Sequence, residues 1–408
     1  MRIALITTRN PLAPAAERSD QPAYLARALA SQGHRVDIYT RQDGTSPRTG
    51  VLGRGVSVEH VPAGPAKQLT PEQAARHTPE MADYLAAKWR SIRPDVVHAF
   101  GWVSGLAALG AVRGTDIPVV QTFGSLAAAE RRQNGDNVCA SRLRLETLIG
   151  RKAAAVLASS SQEAADLARL AVPRPSIRVI PSGVDTDLFS PEGKHASRGK
   201  AIRLVAIASS DQAPGLRTVV RALAPVPGVE LVIAGGPDGK HLPRTGPFRE
   251  LAQLATELRI RSRVKFAGEL EPAKLAALLR SADLLVSAAA YEPAGTGAIQ
   301  AMACGTPVIV SAVGAHADAV IEGTTGLLIT PDQPGMLAHR LRRLLATPAL
   351  LNAYGIAAAD RARSRYSWDR IGRETAAAYE RCLPSQAATD VTESAEADDE
   401  VGMLAVMG

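Results

Sequence analysis

Residues 283–310 read Asp-Leu-Leu-Val-Ser-Ala-Ala-Ala-Tyr-Glu-Pro-Ala-Gly-Thr-Gly-Ala-Ile-Gln-Ala-Met-Ala-Cys-Gly-Thr-Pro-Val-Ile-Val. A short apolar run at 284–286 predicts a buried strand, and the turn-forming residues at 292–297 predict a loop. Good helix formers follow at 298–303, and a glycine and a proline end this helix before the next apolar run. The stretch therefore predicts a strand, a loop, a helix and a second strand.

Two glycines stand in the predicted loop just ahead of the helix, Gly295 and Gly297. Glycine lets backbone amides approach a bound anion closely, and a helix N-terminus adds roughly half a positive charge. Glu292 stands at the mouth of the same loop. The loop therefore predicts an anion-binding site with a carboxylate beside whatever the anion carries.

The order of residues from Glu292 onward follows a recognisable pattern. Glu-Pro-x-Gly begins at Glu292, Gln300 stands eight residues later, and Ala-Met-Ala-x-Gly-x-Pro-Val follows. This pattern resembles the signature of retaining glycosyltransferases of the two-domain GT-B kind. It is similar above all to the family-four group, which includes sucrose-phosphate synthases and bacterial phosphatidylinositol mannosyltransferases. The resemblance extends over about residues 1–382.

The resemblance implies an α/β fold of the GT-B type, in which two Rossmann-like, doubly wound parallel-sheet domains face each other across a cleft. It implies transfer of a hexosyl group from a nucleotide-diphosphate sugar to an acceptor with retention of configuration, without a cofactor or a metal. In such enzymes the first acid contacts the donor sugar and the second contacts the ribose, so Glu292 is the catalytic candidate. Gln300 replaces the second acid, and its amide can still bond ribose hydroxyls. The donor-binding candidates are Gly295, Thr296, Gly297, Gln300 and Ser209.

Other positions that the family uses are substituted here. The family places an Arg and, five residues later, a Lys on the donor diphosphate, and the matching residues are Ser209 and Pro214. A Gly-Gly pair before the first helix is replaced by residues 16–17 or 19–20, depending on register, and each pair contains an acid. An acid would repel a diphosphate. Three basic residues could replace the missing charges or merely solvate helix faces: Arg217, Arg221 and Lys240.

His98 ends a predicted buried strand at 95–98. It matches the first histidine of the family's His-x-His, whereas Phe100 replaces the second, which is usually credited with a contact near the transferred sugar. A histidine at the end of a buried strand is also often a core residue with its hydrogen bonds satisfied. His98 is therefore either a sugar or acceptor contact or part of the core. Further on, Gly314 and Asp318 match the family's late loops.

Composition limits the class of protein. A chain of 408 residues is long enough for two domains. Hydrophobic residues make up 46% of the chain and aromatic residues only 4%, which indicates cores of small aliphatic side chains. Three cysteines lie far apart, which fits a reducing compartment and provides no metal spacing. No run approaches the roughly 18 apolar residues of a membrane span, and the first strand is too short for an export signal. We therefore expect a cytoplasmic protein.

Charge is distributed unevenly along the chain. The net charge is +7, yet residues 383–408 contain six acids and no Lys or Arg, so the remainder carries six charges more, +13. A net positive charge on residues 1–382 could favour binding of an anionic nucleotide sugar or peripheral contact with an anionic membrane. It could also favour an acceptor, which could be a sugar, a sugar phosphate or a lipid-linked molecule. The arginines could equally solvate helix surfaces. Scattered basic residues with few aromatics exclude a nucleic-acid module.

Alternating strands and helices predict a parallel, doubly wound sheet in each half of the chain. The polar segment at 190–200 lacks apolar periodicity and predicts a linker. The predicted divisions are an N-terminal acceptor-side domain at 1–189, the linker at 190–200, a nucleotide-sugar domain at 201–365, a helix returning to the first domain at 366–382 and a disordered acidic tail at 383–408.

Two functions remain open on the sequence alone. One is a working retaining glycosyltransferase, which the fold and the family favour. The other is a catalytically degenerate relative with a binding or regulatory role, able to pair with an active paralogue, which the substitutions favour. A dinucleotide-dependent oxidoreductase is disfavoured, because Gly-x-Gly-x-x-Gly does not follow the first strand.

Overall fold

The computed structural model describes residues 1–12, 21–44, 48–134, 140–208 and 213–383 of the chain. Its strands form two sheets, one of eight strands and one of six. The chain completes the first sheet before it begins the second. The predicted α/β class with two separate sheets is therefore confirmed.

The first sheet is mostly parallel. Its strands are β1 (Arg2–Thr7), β2 (Arg35–Arg41), β3 (Thr49–Gly53), β4 (Val56–Val61), β5 (Val96–Phe100), β6 (Val119–Thr122), β7 (Ala155–Ala158) and β8 (Ile177–Val179). Their order across the sheet is β3-β4-β2-β1-β5-β6-β7-β8, and β3 alone among them pairs antiparallel, with β4. The sequence does not predict β3, because this edge strand has two glycines and its Val51 is 75% exposed.

Helices cover both faces of the first sheet. In the described part of the chain they are α1 (Gln21–Ser31), α2 (Pro71–Ala75), α3 (Thr78–Ser91), α4 (Trp102–Ala111), α5 (Ala127–Asn134), α6 (Ala140–Lys152) and α7 (Ser161–Arg169). The sequence does not predict α7, although Ser160 caps it by accepting a hydrogen bond from the Glu163 amide at 3.1 Å.

The second sheet contains six parallel strands. They are β9 (Ile202–Ile207), β10 (Val229–Ala234), β11 (Val264–Gly268), β12 (Leu284–Ser287), β13 (Val308–Ser311) and β14 (Gly326–Ile329). The helices of this half are α8 (Ala213–Leu223), α9 (Pro247–Glu257), α10 (Pro272–Arg280), α11 (Thr296–Ala303), α12 (Gly314–Ala319), α13 (Pro334–Leu345), α14 (Pro348–Tyr366) and α15 (Trp368–Glu380). The strand, loop, helix and strand predicted at 283–310 are observed as β12, α11 and β13.

The strand order of the second sheet creates a crevice at its carboxyl edge. The order is β11-β10-β9-β12-β13-β14, so the chain moves outward in one direction from β9 and in the opposite direction from β12. Ligands of open parallel sheets bind where the order reverses, outside the carboxyl ends of the strands. Every residue of β10 is buried, as expected of a strand covered on both faces. The loop after β12 therefore borders the crevice.

The last helix returns to the first sheet. The Trp368 ring of α15 stacks on Tyr24 of α1 with centroids 5.6 Å apart, and Tyr379 is fully buried. Val184 forms a parallel bridge with Ser367, where the chain turns from α14 into α15. The hydrophobic core of the first sheet thus includes residues from the end of the chain.

The segment at 190–200 contains neither helix nor strand. The Arg280 guanidinium at the end of α10 donates hydrogen bonds to the carbonyls of Leu188, Ser190 and Lys194. These bonds fasten the segment to the second half of the molecule. Its role as a linker and the domain boundaries remain predictions.

None of the helices in the described ranges has both the length and the apolar character that a bilayer span requires.

Candidate functional site

The site begins with the loop between β12 and α11, which borders the crevice. Gly295 adopts a left-handed conformation with φ of 66° and is the N-cap residue of α11. Its amide donates to Oε1 of Glu292 at 3.0 Å, so the loop folds back on itself. The Glu292 side chain is 14% exposed. A carboxylate is therefore held in a defined orientation at the start of a helix.

A second loop, which runs from β13 into the first turn of α12, is locked against the first. The Ala315 amide donates to the Glu292 carbonyl at 2.8 Å. A Cβ on Gly314 would lie 2.0 Å from the same carbonyl oxygen, and Gly314 has φ of 50°. Because backbone atoms stand there, the position admits only glycine without rearrangement. The two loops therefore form one rigid unit around Glu292.

His316 lies beside the Glu292 carboxylate, on α12. Its Nε2 is 3.9 Å from Oε2 of Glu292, and the residue is 1% exposed. Burial lowers the pKa of His316 below its ordinary value, and the charge of Glu292 opposes that shift. The imidazole is therefore neutral near pH 7, and the Glu292 carboxylate has a polar neighbour on each of its two oxygens.

The predicted donor-binding residues other than Ser209 lie at the N-cap and in the first turns of α11. A Cβ on Gly297 would lie 3.1 Å from Cδ1 of Ile207, so the helix start packs against the end of β9. Gln300 is 8% exposed, and within the described ranges its side-chain amide makes no hydrogen bond. The structure places Gly295 against Glu292 and the other three, Thr296, Gly297 and Gln300, in the first two turns of the helix that Gly295 caps. Their contact with a donor remains a prediction.

The predicted diphosphate positions are only partly described. Ser209 lies outside the described residues, and Pro214 falls in the first turn of α8. Of the three basic residues that could compensate, Arg217 is already paired with Glu250 at 3.0 Å. Lys240 is exposed in the loop after β10, at the carboxyl edge, and forms no ion pair with any described residue. Arg221 lies in the last turn of α8, at the end away from the carboxyl edge of the sheet, so Lys240 is the one of the three at that edge without an ion pair among the described residues.

The alternatives at 16–17 and 19–20, which replace the family's Gly-Gly pair, lie outside the described residues. Within the described ranges, no three or more His, Cys, Asp or Glu side chains gather as metal ligands would.

His98 has all its hydrogen-bonding capacity in use. Its Nδ1 is 2.7 Å from the Tyr379 hydroxyl and its Nε2 is 2.9 Å from the Thr122 hydroxyl. Burial lowers the pKa of His98 from 6.5 to about 3, so the ring is neutral. These contacts give His98 a structural role between β5, β6 and α15. A contact with a sugar or acceptor stays a prediction that would require one of these bonds to break.

The first turn of α7 contributes a feature that the sequence does not single out. The Ser161 amide donates to Oδ2 of Asp318 at 2.6 Å, and the Gly314 amide donates to Oε1 of Gln162 at 2.6 Å. These bonds join the first half of the chain to the loop that surrounds Glu292. Three consecutive serines at 159–161, directly after β7, are the signal in the sequence for the start of this helix.

Tyr291, the residue before Glu292, is also held by the first half of the chain. It packs against the hydrophobic cluster that contains Trp102, Phe123 and Leu126. Burial and the charge of nearby Glu163 raise the pKa of Tyr291. Burial also raises the pKa of Glu163, and its Oε1 has no hydrogen-bond partner in the described part of the chain. The Glu292 loop is therefore built where the two halves meet.

Two family models match the chain. A glycosyl transferase 4-like domain matches residues 21–183, and glycosyl transferases group 1 matches residues 192–361. A D-inositol 3-phosphate glycosyltransferase of Streptomyces scabiei is 31% identical over 388 residues, which cover 87% of this chain and 84% of the relative. D-inositol 3-phosphate glycosyltransferase 2 of Catenulispora acidiphila is 31% identical over 381 residues, 88% of each chain.

Solved structures show the same architecture. The sucrose-phosphate synthase of Thermosynechococcus elongatus matches with a TM-score of 0.82 and 28% identity, covering 93% of this chain and 98% of that one. Anabaena HepE in complex with UDP and glucose matches with a TM-score of 0.72 and 18% identity, covering 93% and 99%. The second likeness shows the fold alone.

Proposed function

The chain belongs to the family-four-like glycosyltransferases of the GT-B fold, and from this premise we propose that it transfers a hexosyl group from a nucleotide-diphosphate sugar with retention of configuration. The observation that carries the proposal is the placement of Glu292. Its carboxylate is fixed by the Gly295 amide at the N-terminus of α11, beside the crevice where the strand order reverses. This position suits a carboxylate that orients a sugar attached to a helix-bound phosphate.

Each residue of the site has a role in the proposal. Glu292 orients the donor sugar, and the amides at 295–297 with the helix they begin hold the diphosphate. Gln300 bonds the ribose hydroxyls with its side-chain amide, which makes no hydrogen bond to any residue that the structure describes. Lys240 supplies positive charge that the family obtains from residues at the positions of Ser209 and Pro214. The reaction uses no metal and no cofactor.

The proposed transfer is balanced without any group beyond donor and acceptor. The bond between the anomeric carbon and the diphosphate oxygen breaks, and negative charge develops on the departing diphosphate. The acceptor oxygen bonds to the anomeric carbon on the same face, and its proton passes to the leaving phosphate oxygen. Fixed donors aimed at the developing charge are the main source of acceleration in such a step.

The acceptor proposed is a sugar or polyol phosphate. Support comes from the relatives, whose printed names specify D-inositol 3-phosphate. A net positive charge outside the acidic C-terminal residues suits a phosphorylated acceptor as well as an anionic donor.

The second candidate is a catalytically degenerate protein that binds a sugar nucleotide or a partner. The substitutions at Ser209 and Pro214 favour it, because loss of one electrostatic donor of this type costs roughly a hundred- to a thousandfold in rate. A thermal-shift panel of UDP-, GDP- and ADP-sugars separates the two candidates when a transfer and hydrolysis assay follows. An enzyme is stabilised by one donor and consumes it, whereas a degenerate protein consumes none.

Glu292→Gln tests the proposal directly. We expect transfer to fall at least a hundredfold while the unfolding temperature is retained, because the substitution keeps the shape of the side chain and removes its charge. Glu257→Gln, at an exposed end of α9, is the matched control and should leave transfer unchanged. Unchanged turnover in Glu292→Gln would exclude this residue from the mechanism.

A further inference from the structure

His316 is a buried histidine placed against the proposed catalytic carboxylate. It is 1% exposed, and its Nε2 lies 3.9 Å from Oε2 of Glu292. A hydrogen bond from nitrogen to oxygen requires about 2.7–3.2 Å, so the distance between Nε2 and Oε2 is about 0.7–1.2 Å too long for one. Catalytic hydrogen bonds are often long in unliganded enzymes and shorten in the complex. A small rotation of the carboxylate or the ring would complete this bond.

The other ring nitrogen of His316 lacks a hydrogen bond of normal geometry to any described residue, although the Ser311 carbonyl acts on the ring and, with Glu292, opposes the lowering of its pKa. Its Nδ1 is buried and forms no hydrogen bond with any described residue. An unsatisfied buried polar group typically costs about 1–3 kcal/mol. A histidine with a purely structural role is expected to resemble His98, whose two nitrogens both have partners. The hydrogen bonding of the His316 ring is therefore less complete than that of His98.

The backbone fixes His316 relative to Glu292. The Ala315 amide donates to the Glu292 carbonyl at 2.8 Å, and a Cβ on Gly314 would collide with that oxygen. The ring and the carboxylate are thus mounted on two loops that cannot move apart separately. Oε1 of Glu292 accepts from the Gly295 amide, and Oε2 is the oxygen 3.9 Å from Nε2 of His316.

We propose that His316 is a positioning residue that donates from Nε2 to Oε2 of Glu292 and so fixes the orientation of the carboxylate toward the donor sugar. The inference rests on the proposed function, because it concerns the same site. It requires the tautomer that carries its proton on Nε2, with Nδ1 as an unprotonated nitrogen. Gly295 and His316 then hold one carboxylate oxygen each.

Three substitutions separate positioning from structural support. His316→Leu removes both nitrogens and fills similar volume, so we expect an unchanged or higher unfolding temperature together with a kcat at least tenfold lower. Gln places its amide nitrogen near the position of Nε2, whereas Asn mimics Nδ1. His316→Gln should therefore restore much of the lost kcat, and His316→Asn should not. Equal kcat in the parent and His316→Leu, or a rescue by Asn instead of Gln, would overturn the proposal.

The tautomer gives a test that does not depend on turnover. Nitrogen-15 NMR of the full chain at pH 7.5 should show His316 protonated at Nε2, and Glu292→Gln should shift that resonance because the charged acceptor is gone. A proton on Nδ1, or a His316 resonance that does not shift in Glu292→Gln, would overturn the inference even in an active enzyme. A correct tautomer and coupling in a protein that neither binds nor consumes any sugar nucleotide would refute the proposed function and retain the contact.

Discussion

The buried, neutral ring of His98 makes the folded state sensitive to acid. Its pKa is lowered by burial from 6.5 to about 3, so between these values the unfolded chain binds a proton that the folded chain does not. The contribution of the neutral His98 ring to the free energy of unfolding is fully present above about pH 6.5. This contribution is lost as the pH falls toward 3. The loss amounts to about 1.4 kcal/mol per pH unit.

Comparison of the parent with His98→Gln measures this contribution. In denaturant titrations between pH 6.5 and 4, the free energy of unfolding of both proteins should fall as the pH falls. The slope of the variant should be smaller than that of the parent by about 1 kcal/mol per pH unit. Burial raises the pKa of Glu146 to about 7, which acts in the opposite direction but is common to both proteins. Parallel pH profiles would show that His98 is not buried in neutral form.

Sequence reasoning at single residues succeeds where a motif is local. Glu292, Gly295 and Gln300 lie within nine consecutive positions, and the structure brings them together at one helix start. His316 and Gln162 escape prediction, because their relation to Glu292 exists only after β13 and α7 have folded against the loop. No spacing along the chain records such a contact.

At the scale of elements, the joint between β13 and α12 depends on Gly314. Alanine there would place its Cβ 2.0 Å from the Glu292 carbonyl, at a φ of 50°. Gly323 is the matched control, because its φ is 72° but nothing lies within 4 Å of its Cβ position. Gly323→Ala should cost about 1–2 kcal/mol from backbone strain alone, and Gly314→Ala about 1–3 kcal/mol more from overpacking.

Thermal and denaturant unfolding of both variants measure the difference, and a transfer assay shows whether the Glu292 loop has moved. We expect Gly314→Ala to lose activity as well as stability, and Gly323→Ala to lose stability only. Equal costs for the two would mean that the loops are not locked together.

Elements with strong local signals are predicted well. β12, α11 and β13 lie where the apolar runs, the helix formers and the glycine and proline of 283–310 predict them. β3 is missed because its pairing with β4 places Val51 in solvent, so no buried face marks it. α4 is missed because its Trp-Val-Ser-Gly-Leu-Ala-Ala-Leu-Gly-Ala is apolar on all sides and has no helical period.

For the whole molecule, α15 closes the core of the first sheet although it comes last in the chain. Trp368 stacks on Tyr24, and a Cβ on Gly183 would lie 2.4 Å from the Trp368 ring. Tyr379 and Ile371 are at most 3% exposed within the same cluster. Removing α15 would return these side chains to water and uncover the strands beneath, at about 1.5–3 kcal/mol for each large apolar side chain.

A chain that ends at Ser367 should therefore fail to fold or unfold at least 10 °C lower, as measured by circular dichroism. A chain that ends at Leu383 is the control, because it retains α15 and loses only residues outside the described ranges. It should unfold like the parent. Equal unfolding temperatures for both truncations would show that α15 is dispensable.

The two-sheet architecture is predictable because each half shows alternating strands and helices. How the halves face each other is not, because the bonds of Ser161 with Asp318 and of Gly314 with Gln162 join residues more than 150 positions apart. The sequence indicates for Asp318 only a match to one of the family's late loops. The contact with α7 gives it a place between the halves.

The bridge between Val184 and Ser367 lies where the chain leaves the first sheet and where it comes back to it. Two adjacent connecting segments can act as a hinge, because rotation about the pair strains neither segment, whereas translation of one half past the other would stretch both. We therefore expect any opening between the halves to be a rotation about this pair, which would have to break the bonds of Ser161 with Asp318 and of Gly314 with Gln162. The width of the opening at any residue grows with that residue's distance from Val184 and Ser367.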